Sequence, residues 1–159
     1  MIKAVLIAGL WALSFGSYAE TSTTISEPSM ANPIEITVHR DPSCSCCGRW
    51  IKHLKKSNFQ VSDVLSHDMQ AVKDKYHVPK NMASCHTAIV NGYAIEGHVP
   101  AADIKALLNI KADIVGLSVP GMPVGTPGME MGTKVDAYKV IGFDKNNESQ
   151  VFNHYEAKE

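Results

Sequence analysis

Cys44-Ser45-Cys46-Cys47 places three of the chain's four cysteines within four positions, immediately after a strand-like run and immediately before a helix-like one. Upstream, Ile34, Ile36 and Val38 alternate with Glu35, Thr37 and His39, the period of a β-strand. Downstream, Trp50, Ile51 and Leu54 form one helical stripe from Arg49 to about Ser57, with Lys52, Lys55 and Lys56 off it. A strand that runs through a short loop into a helix and then meets a second strand-like run, Phe59 to Leu65, is the start of a β-α-β unit. The spacing itself has two readings. Cys44 and Cys46 form a C-x-C suited to a soft metal, while Cys44 and Cys47 form a C-x-x-C suited to thiol–disulfide exchange.

The remaining elements follow from similar signals. A short helix is expected from Asp68 to Tyr76, with Met69, Val72 and Tyr76 on one face and Pro79 beyond it. Thr87–Val90 and Tyr93–Glu96 flank Asn91-Gly92, a type I′ turn signal, and should form a hairpin. Pro100 then opens a helix through Ile104 and Leu107 to about Asn109. The order β-α-β followed by β-β-α is that of a thioredoxin-like domain. In such a sheet the loop entering the third strand lies beside the loop leaving the first, which should bring Cys85-His86 next to Cys44–Cys47. From Gly116 to Gly132 the chain is so rich in Gly, Pro and Met that no regular element is expected. Two last strand-like runs, Asp136 to Phe143 and Gln150 to Tyr155, should close the chain as a hairpin. The fold class expected is therefore α/β, a thioredoxin-like domain with a C-terminal Gly/Pro/Met-rich loop and β-hairpin.

The N-terminus sets the compartment. Lys3, the apolar run Ala4–Leu13 and the small residues of Ser17-Tyr18-Ala19 have the pattern of a secretory signal peptide over residues 1–19. The run is about a dozen residues long, short of the roughly 20 a spanning helix needs, so no membrane association is expected after cleavage. Residues 20–33 read as a flexible Thr/Ser-rich lead-in and 34–159 as one domain. Export, best fitted by a bacterial periplasm, permits disulfides. Fifteen Lys and Arg against 16 Asp and Glu leave no basic footprint, so a nucleic-acid partner is excluded.

Three chemistries compete for the cysteines. Purely structural bridging fits poorly, because Cys46 and Cys47 are adjacent and only Cys85 is distant. Thiol–disulfide exchange by Cys44 and Cys47 is helped by the helix N-terminus, which favours thiolate. It leaves Cys46 and Cys85 without a role, and the position before the third strand lacks the proline that thioredoxin-like oxidoreductases place there. Soft-metal binding uses more of the residues. Three loops carry sulfur and imidazole donors: Cys44, Cys46 and Cys47; Met82, Cys85 and His86; and Met122, Met129 and Met131. Thiolate and thioether favour Cu(I), and four thiolates with imidazole exceed what one tetrahedral zinc requires. A Cys₃His set also suits zinc, although the usual paired C-x₂-C spacing is missing. His86 is the foremost histidine, and His98 and His39 rank behind it. His53, His67, His77 and His154 are read as solvated.

With Asp-Pro-Ser-Cys-Ser-Cys-Cys-Gly-Arg-Trp (41–50), Met82-Ala83-Ser84-Cys85-His86-Thr87 and the Gly116–Glu130 run in this order, the chain resembles a family of exported bacterial metal-binding proteins catalogued as a domain of unknown function. That family includes periplasmic copper-resistance proteins of the CopG type. The resemblance spans Ile34 to Tyr155. It implies a thioredoxin-like fold with a multinuclear, cysteine-rich copper site. Its C-x-C-C motif falls on Cys44, Cys46 and Cys47, and its later cysteine on Cys85, followed by His86. A role in copper tolerance follows, through Cu(I) held by thiolates and cycled with Cu(II) by a copper oxidoreductase activity, or through carriage of copper to a periplasmic copper-handling protein. The catalytic residues of such an activity are not legible in the sequence.

Overall fold

The computed structural model describes residues 32–159; the expected signal peptide and nearly all of the lead-in lie outside the described residues. The strands are β1 (Ile34–Arg40), β2 (Phe59–Leu65), β3 (His86–Val90), β4 (Tyr93–Gly97), β5 (Gly116–Val119), β6 (Tyr138–Phe143) and β7 (Ser149–Tyr155). The α-helices are α1 (Ser45–Lys56), α2 (Met69–Lys75) and α3 (Ala101–Ile110). All seven strands join one mixed sheet in the order β2-β1-β3-β4-β5-β6-β7. β1 runs parallel to β2, and β4 runs parallel to β5. The first pair is connected through α1 and the second through α3, the crossover that parallel neighbours require.

The alternation in β1 sends Ile36 and Val38 into the core. They meet the α1 stripe of Trp50, Ile51 and Leu54 and the α3 residues Ile104 and Leu107. Ala94 and Ile95 are neighbours in β4 and so point to opposite faces of the sheet. Ile95 joins this main core, while Ala94 joins a smaller cluster with Val78, Met82 and Phe143. In the β3–β4 turn, Asn91 and Gly92 both have positive φ, 45° and 85°, as a type I′ turn requires. The terminal hairpin β6–β7 is tied back to α3: the buried Asp103 carboxylate accepts hydrogen bonds from Asn153 Nδ2 at 2.7 Å and Tyr155 Oη at 2.8 Å.

Two expectations need correction. The Gly/Pro/Met-rich run is not irregular throughout, because Gly116–Val119 forms β5 between β4 and β6. All four residues are buried, and Gly116-Leu117-Ser118-Val119 is too short a run to stand out against the Gly/Pro punctuation after it. His53 is not solvated. It is half-buried on α1, and its Nε2 accepts a hydrogen bond from the Ala101 N–H at 3.1 Å, satisfying an open donor at the start of α3.

Candidate metal centre

The site forms where β1 hands over to α1. Asp41 makes the turn by accepting the Ser43 N–H at 2.8 Å, and Cys44 takes the N-cap position, its Sγ accepting the Cys47 N–H at 3.4 Å. Helix α1 starts four residues earlier than its apolar stripe suggests, so Cys46 and Cys47 occupy its first turn. Cys44 and Cys47 are joined as a disulfide, whereas Cys46 and Cys85 are free and half-buried. Cys44 Sγ lies 3.5 Å from Cys46 Sγ.

The antiparallel pairing of β1 with β3 sets Arg40 opposite His86, which carries the β3 entrance to the end of β1. As a result the sulfurs of Cys44, Cys46, Cys47 and Cys85 all lie within 4.8 Å of one another. A second donor group overlaps the first at Cys85: its Sγ is 3.2 Å from His86 Nδ1 and 3.2 Å from His98 Nε2. Both imidazoles are fully buried. His98 is held by the Pro127 carbonyl, 2.7 Å from Nδ1. A carbonyl can only accept, so Nδ1 carries the proton and Nε2 presents its lone pair toward Cys85. His86 packs 4.3 Å from the Trp50 ring, between centroids, and its Nε2 has no hydrogen-bond partner. Among the described residues it is the one buried side-chain nitrogen or oxygen left in that state, while Nδ1 is the ring atom that faces Cys85.

The loop after β5 forms the third wall. Gly128 lies so close to α1 that a Cβ there would fall 2.6 Å from the Trp50 nitrogen, and its φ of 87° also favours glycine. Its carbonyl accepts from Arg49 Nε at 2.7 Å. The Gly121 carbonyl accepts from Ser84 Oγ at 2.6 Å. Arg49 is thus used to hold this wall.

Of the residues singled out as candidate ligands, the structure brings together Cys44, Cys46, Cys47, Cys85 and His86. Met82 is buried with Val78, Ala94 and Phe143, and Met129 is half-buried. Met122 and Met131 are 54% and 65% exposed. His98, ranked second in the sequence, joins Cys85 and His86 in one donor group, and the Pro127 carbonyl that orients it is 29 residues away in sequence.

Burial dominates the electrostatics. It pushes the Cys85 thiol up to about 12, with the neighbouring Cys46 adding to the shift. A cation at the site would reverse this preference by stabilising the thiolate. Burial also holds His86 well below its ordinary value, helped by His98 and Lys73, and it lowers His98 against the opposing pull of the Pro127 carbonyl. Both rings are therefore kept neutral, the form that binds metals. The consequence for stability has a definite sign. Well above pH 6.5, the ordinary value for a free imidazole, both rings are neutral whether the chain is folded or not. As pH falls through that value, the unfolded chain takes up protons that the folded chain refuses, and stability drops. Each ring that stays neutral adds a slope approaching about 1.4 kcal/mol per pH unit. Urea unfolding of the metal-free protein across this range should therefore show a shallower loss in the His86→Gln/His98→Gln variant. Equal slopes would contradict the assignment.

An α/β fold with Cys and His groups sharing one sulfur has the donor arrangement of a metal-binding protein. The chain belongs to the family described as "Protein of unknown function, DUF411", whose match covers residues 82–129 and so includes Cys85, His86 and His98. Two solved structures are similar over most of the chain. "Copper resistance protein copG- Form 1" is 52% identical, covering 78% of this chain and 98% of its own with a TM-score of 0.75. For "Copper resistance protein copG- Form 2" the corresponding values are 51%, 77%, 98% and 0.74. A comparison with curated proteins gives no match.

Proposed function

We propose that this chain is an exported, periplasmic copper-resistance protein that holds Cu(I), as more than one ion, in a cysteine-rich site on a thioredoxin-like domain. The domain spans residues 34–159, after a cleaved leader over 1–19 and a lead-in over 20–33. The single observation that carries the reading is the shared position of Cys85 Sγ, which belongs to both the four-sulfur group and the Cys85/His86/His98 group. A thiolate can bridge two soft cations, so two overlapping groups suit a multinuclear site better than one tetrahedral ion. The donors are Cys44, Cys46, Cys47, Cys85, His86 and His98. Met122, Met129 and Met131 supply thioethers on the loop that walls the site, and Met82 is the least available. Sulfur favours Cu(I) while imidazole accepts Cu(II), so the donor set supports cycling between the two states.

The disulfide gives this reading a test. With Cys44 bonded to Cys47, two of the four sulfurs cannot act as thiolates. Reduction by two electrons and two protons returns both thiols. Anaerobic Cu(I) titration against a competing chelator should therefore give more than one tightly bound copper per reduced chain, and fewer in the disulfide form. Less than one in the reduced protein would sink the proposal.

The same disulfide favours a second reading, a thiol–disulfide oxidoreductase. Cys44 is the more accessible partner and sits at the N-cap of α1, where the helix dipole favours its thiolate, while Cys47 is fully buried. Cys46→Ser separates the two: disulfide exchange should survive it, whereas copper stoichiometry should fall.

A further inference from the structure

We propose that the buried Lys73–Glu96 ion pair is a positioning element of the metal centre, fixing the Cys85-His86 dipeptide from the opposite face of the sheet. The proposal rests on reading Cys85 and His86 as ligands. Glu96 is fully buried in β4 and Lys73 is 6% exposed on α2. Neither residue belongs to either donor group. Glu96 Oε1 accepts the Ser84 N–H at 2.5 Å and Lys73 Nζ at 2.5 Å, and Oε2 accepts the Thr87 hydroxyl at 2.7 Å. Lys73 Nζ also donates to Thr87 Oγ1 at 3.2 Å.

Ser84 immediately precedes Cys85, and Thr87 immediately follows His86. One carboxylate thus holds both ends of the ligand dipeptide. Thr87 and Glu96 stand opposite each other across β3 and β4, and each is the strand neighbour of a main-core residue, Ala88 or Ile95. By the strand's period of two they face away from that core, whereas His86, two residues before Ala88, faces it and meets Trp50. Glu96 therefore cannot be a ligand at the same centre. It grips the backbone from behind.

A buried ion pair is a poor source of net stability, since desolvation offsets most of its attraction, and well-packed apolar chains often serve as well. What this pair supplies is direction. Charge-assisted hydrogen bonds fix the Ser84 amide and the Thr87 hydroxyl, and with them the Cys85 sulfur that sits 3.2 Å from each imidazole. Lys73 brings α2 into this support, so a helix remote from the cysteines bears on the geometry of the site.

The test uses Lys73→Met/Glu96→Gln, which removes both charges together and keeps the volumes close, and Thr87→Val, which removes one hydroxyl. Metal-free stability is read by urea unfolding, Cu(I) affinity by chelator competition, and site geometry by the thiolate charge-transfer and d–d bands of added Co(II). A role confined to the fold would leave the last two unchanged in protein that remains folded. Positioning predicts that the folded double variant binds Cu(I) roughly 10–100-fold more weakly, as supporting-shell changes do, with shifted Co(II) bands. Thr87→Val should change both in the same direction and by less, and it decides the matter if the double variant does not fold. Wild-type affinity and an unchanged Co(II) spectrum in a folded variant overturn the positioning role alone. Wild-type protein that binds no Cu(I) overturns the copper reading and this proposal with it.

Discussion

Cys85→Ser should cost the protein more copper than any other single cysteine replacement. Its sulfur is the one atom common to both donor groups, within 4.8 Å of the other three sulfurs and 3.2 Å from each of His86 Nδ1 and His98 Nε2. Removing it leaves the α1 cysteines without their partner from β3 and leaves the two imidazoles without a thiolate. Cys46→Ser, by contrast, takes a donor from the sulfur group and leaves Cys85, His86 and His98 in place. Chelator competition on the reduced proteins should show Cys85→Ser losing at least one copper per chain. The affinity of what remains should fall beyond the roughly 10–100-fold typical of supporting-shell changes. The Cys46→Ser loss should be smaller. Serine still accepts a hydrogen bond but is a hard, weakly basic donor, so the difference reports ligand chemistry rather than packing. Equal losses in the two variants would mean that Cys85 is not the shared vertex.

The largest effect on the fold is expected from Trp50→Ala. Trp50 is fully buried on α1, its Nε1 donates to the Val99 carbonyl at 2.9 Å, and its ring lies 4.3 Å from that of His86, between centroids. Truncation removes a large apolar contact between α1 and the sheet, leaves the Val99 carbonyl without this donor, and opens space beside a ligand ring. Core replacements of this kind cost about 3–5 kcal/mol, a large fraction of the stability of a domain this size. Urea unfolding of the metal-free variant should show that loss, and Trp50→Phe should recover part of it by refilling the space. A loss below about 1 kcal/mol would mean that the α1–sheet contact is not what holds the site against the core.

Much of this arrangement can be read directly from local pattern. Alternation marks β1, the helical stripe marks α1, and Asn91-Gly92 marks the hairpin, because each depends on neighbours within a few residues. Cys85 and His86 could be brought to the cysteine loop only through topology, since β3 returns antiparallel to β1 after 45 intervening residues between Arg40 and His86. Other features depend on partners that no local pattern announces. β5 is a central strand of only four residues between β4 and β6, and its short Leu/Val alternation does not stand out beside the Gly/Pro-rich run that follows. His98 ranks behind His86 in the sequence, and only the fold supplies the Pro127 carbonyl that fixes its tautomer. Lys73 carries no sequence signal of its burial, because its partner Glu96 lies 23 residues later. The methionines look alike in the sequence, but they differ in the fold: Met122 and Met131 are largely exposed on the loop after β5, Met129 is half-buried there, and Met82 joins an apolar cluster.

The redox state of Cys44 and Cys47 connects the two functional readings. As a disulfide the pair withholds two sulfurs; as thiols it completes the four-sulfur group. A protein exported to an oxidising compartment would then bind copper according to how its thiols are kept. Sulfur coordination by more than one ion is the central claim, and X-ray absorption at the copper edge of the reduced, Cu(I)-loaded protein tests it most directly. A first shell dominated by sulfur with an imidazole contribution is expected, together with scattering from a second copper nearby. A shell of nitrogen and oxygen alone, or one isolated copper, would contradict it.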